Sequence, residues 1–183
     1  MTYQIHTQET APAAAKDILM DVQKALGFVP NMLAIMADAP AVLEAYQSTG
    51  VLFDKTSLSA TERQVVMLTT SAENACEYCV SAHSALSAMQ KVPDHVVQAI
   101  RNDTPIADPK LEVLRRFTSE MVETRGNPSA SMLEAIAQAG YREIQMLEIV
   151  LGIGLKTVAN YINHLAKTPL DDAFAAVAWQ AEA

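Results

Sequence analysis

Cysteine is almost absent from this 183-residue chain: Cys76 and Cys79 hold all of its thiol chemistry. Two thiols do not make a disulfide-stapled scaffold, and a chain of this length buries a core without cross-links. Basic side chains are outnumbered, with 13 Lys and Arg against 21 Asp and Glu for a net charge of −8. With no Lys/Arg cluster anywhere, nucleic acid and anionic membrane surfaces are poor partners. No apolar stretch approaches the ~18 residues that would span a bilayer. The start, Met1-Thr2-Tyr3-Gln4-Ile5-His6, lacks the basic residue and apolar run of a signal peptide. A cytoplasmic setting is the expectation, and in its reducing thiol pool a close cysteine pair is catalytic or metal-binding rather than structural. Aromatics are scarce at 5 %, which suits helices packed closely through Ala, Leu and Met. Strand-type alternation, internal repeats and low-complexity linkers are missing too.

What is present is helical. Ala11 to Leu26 reads as a first helix, closed by Gly27 and Pro30, and Asn31 to Met36 as a short turn of helix. A third helix runs from Ala41 to Phe53, entered through Pro40. Ser59-Ala60-Thr61-Glu62 has capping-box spacing, so a strong helix starts there, with Val65, Val66, Met67 and Leu68 implying burial on more than one side. Asn74 is placed to cap a new helix from Ala75 to about Gln90. Further helices start at Val92-Pro93-Asp94, run from Pro109 to Arg125 and from Ser129 to Ala139, and end with the long apolar segment Arg142 to Ala166. Gly152 and Gly154 inside that last helix weaken it relative to alanine, which points to close helix contact. The fold class expected is all-α: one domain over residues 1–183, with residues 1–40 as an N-terminal helical arm and 59–90 as the core around the thiols.

Cys76-Glu77-Tyr78-Cys79, with His83 four residues on, is the one chemically dense segment. On a helix, positions 76, 79 and 83 fall within roughly 60° of one another. Cys79 and His83 are then close enough for proton transfer from thiol to imidazole. A helix start beside the thiols favours thiolate, which is only a few per cent of a free cysteine at neutral pH. Three readings stay open on spacing alone: inert buried residues, half of a zinc site, or thiol redox work. Zinc lacks a fourth ligand, since His6, His95 and His164 are remote in sequence. His164 reads as structural, near the carbonyl end of the last helix. Glu148, on an otherwise apolar helix, reads as a subunit-interface partner or a solvated edge. The nine methionines occupy core-like positions.

The segment from Leu58-Ser59-Ala60-Thr61-Glu62-Arg63-Gln64-Val65-Val66 through Cys76-Glu77-Tyr78-Cys79-Val80-Ser81-Ala82-His83 resembles the core of the carboxymuconolactone decarboxylase/alkylhydroperoxidase D superfamily. Phe28-Val29-Pro30-Asn31-Met32, Ala39-Pro40-Ala41-Val42-Leu43 and Asn160-Tyr161-Ile162-Asn163-His164-Leu165 resemble further stretches of its peroxidase-related branch. The resemblance implies a compact AhpD-like helical bundle that assembles into a homo-oligomer, a trimer or hexamer, with no cofactor and no metal. It also implies an antioxidant (hydro)peroxide reductase. Cys79 would be the attacking thiol and Cys76 the resolving one, giving a Cys76–Cys79 disulfide. His83 would be the proton relay, and a thioredoxin-like or lipoyl-type dithiol the reductant.

One position departs from the pattern. The family's relay glutamate, twelve residues before the first cysteine, is Gln64 here, and an amide accepts no proton at ordinary pH. Glu62 points about 160° away from it on a helix. Tyr78 stands where some relatives carry histidine. Restoring the acid with Gln64→Glu is therefore expected to raise turnover. The competing functions are general dithiol–disulfide exchange, a non-enzymatic redox-sensing oligomer, and a lactone decarboxylase, which would need no cysteine pair.

Overall fold

The computed structural model describes residues 2–181, and among them there is no strand. The chain runs α1 (Ala13–Leu26), α2 (Asn31–Met36), α3 (Pro40–Asp54), α4 (Ala60–Glu73), α5 (Glu77–Met89), α6 (Asp94–Arg101), α7 (Pro109–Glu123), α8 (Ala130–Gln138) and α9 (Glu143–Ala166), then a 3-10 turn, Asp172–Val177. The all-α, single-domain expectation holds. Helix ends differ from the sequence reading by a residue or two, as fraying ends do.

Helix α4 is the hub. Its start is the capping box read from sequence: Ser59 Oγ accepts from Glu62 N–H at 3.2 Å and Glu62 Oε2 accepts from Ser59 N–H at 2.8 Å. From there α4 packs against α5, α6, α7 and α9, so it is buried all round rather than on one stripe. Val65, Val66 and Leu68 are fully enclosed, each burial contributing about 1.5–3 kcal/mol. The polar residues that share this environment turn inward on the helix, Thr70 Oγ1 bonding Val66 C=O and Ser71 Oγ bonding Met67 C=O, both at 2.8 Å.

Two apolar clusters result. The larger joins α4 to α6, α7, α8 and α9. The smaller gathers α1, α2 and α3 around Cys76, Tyr78 and Cys79. Gly152 serves the close helix contact expected of it: a Cβ there would meet the Phe53 ring at 2.6 Å and Val66 at 3.0 Å. Gly154 does not, because nothing lies within 4 Å of its would-be Cβ.

The start of α5 corrects the sequence reading. Asn74 is not its N-cap; it closes α4, its N–H on Thr70 C=O at 3.2 Å, and its side chain donates to Asn160 Oδ1 at 3.0 Å. Ala75 then takes a left-handed turn at φ 50°, and Cys76 itself is the N-cap residue. The side chain that would have capped α5 is held by α9 instead.

Candidate active site

Cys79 lies in the first turn of α5 and Cys76 at its cap, and both are about 1 % exposed. Both thiols are free. Asn163, on α9, donates from Nδ2 to Cys79 Sγ at 3.1 Å and lies 3.9 Å from Cys76 Sγ. Burial alone raises the Cys79 thiol. The hydrogen bond from Cys76, the charge of Lys156 and the amides of Asn160 and Asn163 outweigh it and bring Cys79 down to about 6. Cys76 moves the other way, pushed up by bonding to Cys79, by burial and by its partner's charge. The pair is thus polarised into one thiolate and one thiol.

His83 is buried one turn beyond Cys79. Its Nδ1 lies 2.9 Å from Gln64 Oε1 and its Nε2 lies 2.8 Å from Lys156 Nζ. Lysine has no acceptor, so Nε2 accepts, and the ring is the neutral Nδ1–H tautomer donating to Gln64. Burial first, and then the Lys156 charge, hold the imidazole well below its ordinary value. Gln64 is oriented in turn: Nε2 donates to Gln90 Oε1 at 3.1 Å, and Ser87 Oγ reaches Oε1 at 3.4 Å. With its Nε2 occupied by an ammonium, His83 is a holder of Lys156 in this state rather than a free base for Cys79.

Lys156 is the residue that sequence reasoning missed. It is about 1 % exposed. Burial works against its charge, but Cys79, Tyr46 and Cys76 keep its ammonium above the ordinary lysine range. A detectable signal existed: Gly152, Lys156, Asn160 and Asn163 recur at steps of four, four and three along an otherwise apolar helix, one stripe that must face inward.

The carboxylates near the motif are committed elsewhere. Glu62 accepts from Tyr141 OH at 2.9 Å and pairs with Lys110 at 3.1 Å. Glu73 holds Ser119 at 2.6 Å, and Glu77 faces the Ala181 N–H at 3.3 Å. Glu148 grips Ser57 through N–H at 2.9 Å and Oγ at 2.6 Å. Tyr78 is a strut: its OH donates to Asp171 Oδ2 at 2.6 Å and accepts from Met32 N–H at 3.3 Å, tying α5 to α2 and the C-terminal segment. Of the other histidines, His6 bonds Asp38 at 2.7 Å and His164 is exposed. Among the described residues no three His, Cys, Asp or Glu side chains converge on a point that would hold a metal ion.

A cavity of about 390 Å³ opens onto Cys79, His83, Lys156 and Tyr46. Its walls are apolar, with Phe28, Met32, Leu33, Ala82, Leu86 and Phe174 among them. Such a pocket admits a small organic molecule and excludes bulk water from the thiolate.

Residues 37–120 match the model of the carboxymuconolactone decarboxylase family. A search of curated proteins finds no match. Among solved structures, the chain is similar to an uncharacterised peroxidase-related protein from Ralstonia eutropha JMP134, described as an alkylhydroperoxidase AhpD core. The TM-score is 0.83 at 21 % identity, over 94 % of this chain and 93 % of that one. A peroxidase-related protein from Silicibacter sp. TM1040 gives 0.81 at 18 % identity, over 95 % and 92 %. The debrominase Bmp8, in complex with 2,3,4-tribromopyrrole, gives 0.81 at 16 %, over 97 % and 95 %. The family match covers the segment that carries Cys76, Cys79 and His83, and the helical architecture is shared with these AhpD-like and peroxidase-related structures.

Proposed function

We propose that the protein is a cytoplasmic thiol-dependent hydroperoxide reductase in which Cys79 attacks, Cys76 resolves and Lys156 supplies the charge that a glutamate relay would otherwise manage. The observation that carries this reading is the polarised pair: Cys79 near 6 at the floor of an apolar cavity, with Cys76 held as thiol beside it. Cys79 thiolate attacks the terminal peroxide oxygen, the O–O bond breaks, and the departing alkoxide takes a proton from the Lys156 ammonium. The Cys76 thiol then attacks the sulfenic acid, releasing water and closing the disulfide. A dithiol restores both thiols. His83 positions Lys156, and Gln64 fixes the tautomer that lets His83 do so.

Peroxide consumption with a dithiol reductant tests this on the parent, Cys79→Ser and Cys76→Ser. Turnover should vanish in the first and stall after one oxidation in the second. Undiminished turnover in Cys79→Ser would falsify the assignment.

The apolar walls favour a second reading, reductive dehalogenation of a small ring. Cys79 thiolate would take the halogen from carbon and the ring carbon would take a proton. Cys76 would then displace halide to give the same disulfide. Release of bromide from a bromopyrrole, in the same assay format, separates this reading from the first.

We also propose self-association, as a trimer or hexamer, through α3 and α9. Val42, Val150 and Val158 are exposed large apolar residues on a groove of about 550 Å³ between those helices, and Tyr161 and Leu165 extend the exposed apolar run on α9. Sedimentation of the parent and of Val150→Glu reads this directly: the substitution should release monomers.

A further inference from the structure

We propose that the cysteine pair is served through two separate openings, with substrate meeting Cys79 in the apolar cavity and an amide-bearing dithiol reductant meeting Cys76 in a more polar cleft of its own. This rests on the disulfide chemistry proposed above and adds where, and at which sulfur, the electrons enter.

The two cysteines line different spaces. The apolar cavity contains Cys79 and not Cys76, whereas a cleft of about 440 Å³ contains Cys76 and not Cys79. Glu77, Asn163, His164, Lys167 and Thr168 surround Cys76 there, at the junction of the α5 start and the α9 end. The cleft is the more polar of the two spaces, so an apolar substrate favours the cavity and a polar reductant the cleft.

Two polar atoms of residues that line the cleft lack a partner. Asn163 Oδ1 and Thr168 Oγ1 are buried and have no hydrogen-bond partner, although Asn163 is about 4 % exposed and its Nδ2 is already used on Cys79. An orphaned buried acceptor costs about 1–3 kcal/mol, and a ligand presenting an N–H relieves it. The shared chemistry is therefore a dithiol next to an amide N–H, which a peptide-borne cysteine pair and a lipoyl-type arm both offer.

The leaving group agrees with this direction of entry. A reductant thiolate attacks Cys76 Sγ, the S–S bond breaks, and its electron pair leaves on Cys79. Cys79 is the better leaving thiol of the two, because the Asn163 amide 3.1 Å from its sulfur and the charge of Lys156 both favour its thiolate. The reductant's second thiol loses its proton to water and attacks the reductant sulfur bound to Cys76. Cys76 departs, takes up a proton, and the reductant is left as a disulfide.

The test starts from protein oxidised with diamide, so it does not depend on peroxide. The rate of disulfide loss is followed with dihydrolipoamide, with a reduced Cys-x2-Cys peptide and with dithiothreitol, which has no amide. Thr168→Trp, which fills the cleft, should slow reduction by about tenfold or more while oxidation by cumene hydroperoxide stays within about twofold. The unreactive alcohol 2-phenyl-2-propanol should slow oxidation only. In the Thr168→Val variant, dihydrolipoamide and the peptide should lose their advantage over dithiothreitol. Whichever of the two is faster on the parent identifies the source of the amide. His164→Trp, at an exposed position of the same cleft, repeats the plug if Thr168→Trp does not fold. Reductant trapped on Cys79, reduction unaffected by either plug, or an alcohol that slows both halves equally would overturn the proposal. A parent that never consumes peroxide, yet whose diamide-formed disulfide responds to the plugs and to Thr168→Val as stated, would sink the peroxidase reading alone.

Discussion

The Nζ of Lys156 lies 2.8 Å from Nε2 of His83, and this contact decides how the thiol site is charged. A histidine that accepts from an ammonium is neutral, and the positive charge belongs to the lysine. With Lys156→Met that charge is lost while much of the side-chain volume stays. An opposite charge close to a titrating group shifts it by about 1–3 units, so the Cys79 midpoint should rise from about 6 toward the ordinary thiol range. Thiolate absorbance near 240 nm and the pH dependence of iodoacetamide alkylation both read the shift. A midpoint unchanged in Lys156→Met would show that the Cys76 hydrogen bond and the asparagine amides hold the thiolate without the lysine.

The same contact reverses the expectation for Gln64→Glu. Read from sequence, a restored carboxylate completes a relay and speeds turnover. In the structure, Gln64 Oε1 already accepts from His83 at 2.9 Å, and a carboxylate would add a negative charge next to a neutral imidazole that the lysine depends on. The charge would draw a proton onto His83, break its acceptance from Lys156 and weaken the field on Cys79. Turnover at neutral pH should fall, and the His83 ring should titrate within reach of NMR in the variant and not in the parent.

The architecture was largely legible in the sequence because its signals are local. The capping box at Ser59 and Glu62, the proline entries at Pro40 and Pro109, and the αL exits such as Gly27 each fix an end within a few residues. The thiol motif was legible for the same reason. Lys156, Asn160 and Asn163 were not, because their partners lie 73 to 89 residues away in the chain. Only the folded packing of α9 on α4 and α5 brings them to Cys79. Asn74 failed as a cap for a related reason: its side chain has a distant partner, Asn160, that local spacing does not reveal.

Acidity should act on both turnover and stability through Cys79. Its pKa in the folded protein, about 6, lies below the value near 8.5 of an unperturbed thiol. The unfolded chain therefore binds that proton more tightly. The stabilisation is fully present above about 8.5 and is lost as pH falls through about 6. Pre-steady-state oxidation should fall tenfold per unit below that midpoint and level off above it. A Cys79→Ser variant should show a flatter change in denaturation midpoint across the window. The rate law fails if oxidation keeps climbing through pH 8 as it would for an ordinary thiol.

Tyr78 stands between the two cysteines, and its work here is mechanical. Its OH joins Asp171 at 2.6 Å and Met32 N–H at 3.3 Å, and its ring meets Phe174 edge-on at 6.2 Å. Tyr78→Phe keeps the ring and removes the hydroxyl. Losing a buried hydrogen bond to a carboxylate costs about 1.5–3 kcal/mol, or a drop in Tm of about 3–12 °C for a chain of this size. The Cys79 alkylation midpoint should stay where it is. A large movement of that midpoint would mean that the phenol belongs to the thiol chemistry after all.

Gly152 and Gly154 sit two residues apart on α9 and face different surroundings. A Cβ on Gly152 would lie 2.6 Å from the Phe53 ring and 3.0 Å from Val66, and both neighbours are buried on other helices with little freedom to yield. Overpacking of this kind costs about 1–3 kcal/mol, so Gly152→Ala should unfold at lower urea despite its better helix propensity. At Gly154 no atom lies within 4 Å of the new methyl group, leaving the propensity gain of about 1 kcal/mol unopposed in the monomer. Gly154→Ala should therefore be the more stable variant by urea titration at low protein concentration. If Gly154 also lines an interface between copies across α3 and α9, the same methyl group should weaken association as concentration rises. Stabilised monomers that assemble less readily would tie the second glycine to that face, and two variants of equal stability would remove the distinction between them.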